Sequence, residues 1–80
     1  MKKSARSNKR DFKRALGDYD RCLALDPCFV KALFNRGLVR LQLGDDDKAR
    51  ADFDRAIACD PSFDPALTAR DKLKEERRIR

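Results

Sequence analysis

The sequence predicts an all-α chain, a stack of antiparallel helical hairpins about four helices long. Three observations carry that prediction. The dipeptide Asp26-Pro27 recurs as Asp60-Pro61, and with a 34-residue offset twelve of the twenty-seven positions in 10–36 are identical to those in 44–70. A period of this length marks stacked supersecondary units, none of which can bury its apolar face alone. Apolar residues between the breakers fall at helical spacing. The composition, 42% charged and 41% hydrophobic with three Gly and three Pro, fits a helical globular chain with a wet surface.

Residues 1–9 form a basic tail, too polar and too short for a helix of their own. Residues 10–29 hold the second helix of an incomplete unit, with helical spacing over 11–25 and Asp26-Pro27 as its stop. Proline cannot extend the hydrogen-bond ladder, and it drives its predecessor out of the α region. Residues 30–63 make one complete unit. Its first helix covers 30–43, apolar on more than one face as a helix between neighbours must be. Gly44 follows, where a left-handed cap needs a residue without Cβ. Asp45, Asp46 and Asp47 open the second helix, offering capping oxygens and negative charge to the positive dipole end. That helix runs to about Cys59 and stops at Asp60-Pro61. Residues 64–80 form a closing helix with an almost wholly charged end.

Length and charge bound the function. Eighty residues make one small domain, which buries only ~60–65% of its unfolded surface. The net charge of +6 lies at the two ends: residues 1–10 carry +5, 70–80 carry +3, and 11–69 carry −2. No apolar run approaches 18 residues, so no membrane-spanning helix is expected. Nothing resembling a secretory signal follows Met1-Lys2-Lys3. Three cysteines, Cys22, Cys28 and Cys59, then read as reduced thiols of a cytoplasmic protein, with Cys28 in an exposed turn. With no histidine and three thiols, one chain cannot build a four-ligand Cys/His zinc site. No cofactor or metal is expected. Without histidine, a strained Gly-rich serine turn or a phosphate cradle, the chain is not read as an enzyme.

Gly37, Ala49, Phe53, Ala56 and Pro61 resemble the pattern of the tetratricopeptide repeat family: Gly in the first helix, Ala-aromatic-Ala in the second, and a closing Pro. The resemblance covers residues 10 to about 74 and implies a fragment of an α-solenoid that works as an adaptor or scaffold. Two departures stand out. Leu33 replaces the family's early aromatic. Arg36 and Arg40 replace apolar residues, so their stems are expected to pack while their heads reach water. The resemblance also implies a concave groove lined by the first helix, at Lys31, Phe34, Asn35, Leu38 and Gln42, that binds a peptide or protein segment. Lys31 and Asn35, one turn apart, stand where co-chaperones of the family clamp a terminal carboxylate.

Two other readings stand beside that one. The basic ends suit RNA or another anionic partner, although no aromatic interleaves with them. The second is self-association, as a homodimer or structural fragment, through Phe12, Leu16, Tyr19 and Leu23, the face that a preceding helix covers in a full array.

Overall fold

The computed structural model describes residues 9–79 of the chain, and the side chains of residues 11–74. Four helices follow one another: α1 (Lys9–Leu25), α2 (Val30–Gln42), α3 (Asp46–Cys59) and α4 (Asp64–Ile79). Of the basic tail expected over residues 1–9, Lys9 opens α1 instead, and residues 1–8, like the side chains of the charged C-terminal end, lie outside the described residues. Each helix packs on its sequence neighbour, α2 being sandwiched between α1 and α3, and α3 meeting both α2 and α4.

Local chemistry sets the helix ends. After α1, Asp26 accepts a hydrogen bond from the Cys28 amide on its Oδ1, and its carbonyl accepts the Phe29 amide. After α3, Asp60 does the same with Ser62 and Phe63. The 34-residue period therefore repeats turn chemistry as well as sequence. Between α2 and α3, Gly44 adopts φ +82°. There the Asp45 amide donates to the Arg40 carbonyl and the Gly44 amide to that of Leu41, which satisfies two orphan carbonyls of α2. The expectation for Asp45 needs correction. It occupies the N-cap position of α3, but its side chain makes no capping bond and instead approaches the Lys48 Nζ at 3.9 Å.

The core has two apolar clusters. Leu33, Ala56 and Ala66 form one, with Leu23, Val30, Ile57 and Phe63 against it. Ala49, Phe53 and Leu73 form the other, with Leu41 and Ala69 against it. Phe34 touches both, its ring 5.9 Å from Phe53 and 5.7 Å from Phe63 between centroids. Gly37 explains how α2 and α3 come so close. A Cβ there would stand 2.5 Å from Phe53 Cε1, inside any tolerable contact, so only glycine admits the ring. Ala49 and Ala56 flank Phe53 by about one turn on either side and are fully buried with it. Pro61 is exposed in the turn, where it ends α3.

The two arginines depart from expectation. Their heads do not run out to water; they converge on Asp52, which is 2% exposed. Arg36 Nε and Nη2 donate to the two Asp52 oxygens at 3.0 and 2.7 Å, and Arg40 Nη1 adds a third bond at 2.9 Å. Arg36 Nη1 also reaches Asp20 of α1 at 2.7 Å, so one guanidinium ties three helices. These bonds, led by the one to Asp52, raise the Arg36 pKa above its ordinary value against the opposing pull of burial. Arg36 therefore stays charged at any pH at which the chain is handled. Removing one member of a buried pair costs roughly 3–5 kcal/mol. Here both arginines lie near the surface and Arg36 keeps Asp20. Asp52→Ala should thus lower stability by a smaller amount, about 2 kcal/mol, in urea unfolding. A loss under about 0.5 kcal/mol would mean the network is mere decoration.

The cysteines also need correction. Cys28 and Cys59 form a disulfide, their Cα atoms 5.5 Å apart, and Cys22 is the free thiol among the three. Cys28 sits in the turn before α2 and Cys59 at the end of α3, so antiparallel pairing of α2 and α3 brings them to one end of the hairpin. Gly44 closes the other end. The inference from reduced thiols to a cytoplasmic location thereby loses its premise. No helix among the described residues is long and apolar enough to cross a membrane.

Candidate peptide-binding cleft

The alternation of helices leaves α2 and α4 side by side on one face, with α3 behind them. Between them lies an open cleft of about 300 Å³. Phe34, Leu38 and Leu41 form the α2 wall; Pro65, Thr68, Ala69, Lys72 and Leu73 form the α4 wall. The floor is packed: Phe34 lies against the Phe53 and Phe63 rings, and Leu73 belongs to the second core cluster. The rim is open: Leu38 is 37% exposed, an apolar side chain poised over an apolar cleft. Lys72 is the cation at its edge.

Of the five groove residues expected from the sequence, Phe34 and Leu38 line this cleft. Lys31, Asn35 and Gln42 are exposed on α2 outside its lining. The α4 wall was missed, and the 34-residue period held the signal that finds it. Adding 34 to Lys31, Phe34, Asn35 and Leu38 gives Pro65, Thr68, Ala69 and Lys72, all of which line the cleft. The helix taken as a plain cap therefore supplies the second wall of this cleft.

The face expected to self-associate is half-buried at Phe12, Leu16, Tyr19 and Leu23. Leu23 turns inward against the first core cluster.

Paired antiparallel helices on a 34-residue period, the Gly37–Phe53 contact and a groove between successive first helices define a helical-repeat interaction module. The chain belongs to the tetratricopeptide repeat family, whose model, described as Tetratricopeptide repeat, matches residues 1–77. That match begins nine residues before the resemblance read from the sequence. No curated protein and no solved structure matches the chain. The family is one of protein–protein interaction modules, in general not enzymes.

Proposed function

We propose that the module holds a peptide segment of a protein partner by seating a bulky apolar side chain in the α2–α4 cleft. The observation that carries this reading is Leu38, left 37% exposed above a cavity whose floor is otherwise packed. Exposed apolar side chains gathered at a preformed cavity favour an apolar anchor, since burial releases water from both surfaces. Lys72 on the rim favours an acidic group beside that anchor. Lys31 and Asn35 extend the same helix face and offer an ammonium and an amide to a carboxylate beyond the cleft, in the manner of a co-chaperone clamp.

Panning a random peptide library on the immobilised chain tests the reading. Enriched peptides should carry one large apolar residue flanked by Asp or Glu. Leu38→Asp should weaken them roughly tenfold or more, because it puts a carboxylate into the apolar seat. Leu38 is outside the two core clusters, so the variant keeps its fold. Peptides that bind Leu38→Asp as well as the parent chain would place recognition elsewhere.

A further inference from the structure

The ion network at the centre of the fold has a counterpart at each end, and each end holds a different half. In the middle, Asp20 of α1 pairs with Arg36 of α2, and the same pair recurs 34 residues on as Asp54 of α3 with Arg70 of α4, at 3.0 Å. Asp52 takes the rest of Arg36 and the head of Arg40. With the same offset, the counterpart of Asp52 is Asp18, and the counterparts of Arg36 and Arg40 are Arg70 and Lys74. Asp18 is exposed on α1 and has no ion-pair partner among the described residues. Among them Arg70 bonds Asp54 alone, its Nε covered by its own chain without an acceptor, and its side chain stays 31% exposed, whereas Arg36 holds Asp52 as well as Asp20. The exposed part of that guanidinium can take a further carboxylate.

Apolar packing shows the same split. Ala49, Phe53 and Ala56 are fully buried under α2. Their counterparts on α1, Ala15, Tyr19 and Cys22, are half-exposed. On α4, Leu67 is half-exposed where its counterpart Leu33 is fully buried. Thus α1 presents the surface that a first helix covers, and α4 presents the surface that a second helix covers.

We propose that α4 of one copy docks on α1 of another, completing a repeat unit across the two chains. Arg70 and Lys74 of the first copy take the carboxylate of the second copy's Asp18, as Arg36 and Arg40 take Asp52. Leu67 faces the second copy's Ala15, Tyr19 and Cys22. The two surfaces differ, so the contact is head-to-tail and each addition leaves a free α4 and a free α1. Association therefore continues past the dimer. Asp71 makes it shallow: it stands where Gly37 admits Phe53, and a Cβ at that place meets the ring. The arriving Tyr19 cannot sink as far as Phe53 does. Charge then leads the contact, which makes it weak and sensitive to salt.

Sedimentation of the intact chain across concentration, at low and high salt, tests this. At low salt the average mass should climb with concentration beyond that of a dimer and fall back when salt is added. Asp18→Arg and Lys74→Glu, both at exposed positions, should each weaken association roughly tenfold or more. Mixing the two variants should restore a contact, since one keeps its α4 and the other its α1. Asp71→Gly should tighten association by opening the seat for Tyr19. A monomer at every concentration overturns the proposal, as does association that ignores Asp18→Arg or Lys74→Glu. Loss of association in Asp71→Gly, with helicity intact, also contradicts it.

Discussion

Phe53→Ala should cost the chain roughly 3–5 kcal/mol, the range for emptying a fully buried phenylalanine site that cannot collapse. Phe53 is one of the two largest fully buried side chains. It fills the space that Gly37 opens in α2, and Phe34, which joins the two core clusters, leans on its ring. The walls around the hole belong to helices tied by Asp52 and by the disulfide, so relaxation into it is limited. A small domain has only about 0.05–0.15 kcal/mol of stability per residue, so this single truncation should remove a large share of it. Urea unfolding followed by circular dichroism gives the number. A loss under about 1 kcal/mol would mean that the Gly37–Phe53 contact does not organise the fold.

Opening the Cys28–Cys59 disulfide should have an effect of similar size. The two cysteines are separated by 31 residues and enclose the whole α2–α3 hairpin, whose other end is held by the turn at Gly44. A closed loop of that length restricts the unfolded chain by roughly 3–4 kcal/mol in the chain-entropy account. The paired Cys28→Ser, Cys59→Ser variant should therefore melt roughly 15 °C or more below the oxidised chain. Adding reductant to the parent chain should bring its melting temperature to that of the variant. Equal melting temperatures with and without reductant would remove the disulfide from the stability account. Cys22, half-buried on α1, is the thiol to protect with serine so that exchange does not blur the comparison.

Much of this architecture was legible in the sequence, and for identifiable reasons. The Asp-Pro steps and Gly44 mark helix ends because backbone sterics leave few alternatives. Gly37, Ala49, Phe53 and Ala56 were legible because close helix packing demands small residues opposite a large one. The Asp52 network was not. Aspartate inside a helix reads as a solvated residue until the facing helix is known to bring two arginines to it. The disulfide was hidden for a related reason. Cys28 and Cys59 are brought together by hairpin pairing, whereas their counterparts under the period, Ser62 and Leu25, form no such pair. Half of the cleft was seen through Phe34 and Leu38. The other half, on α4, follows from the period but was masked by the charged end of that helix, which made it look like a cap alone.

The central functional claim is that the cleft between α2 and α4 is where a peptide sits. Its most direct test is a titration of the isotope-labelled chain with a library-selected peptide, followed through the amide resonances. The account predicts saturable shifts centred on Phe34, Leu38, Ala69 and Lys72, absent in Leu38→Asp. Shifts confined to α1 or to the basic ends, with the cleft silent, would contradict it.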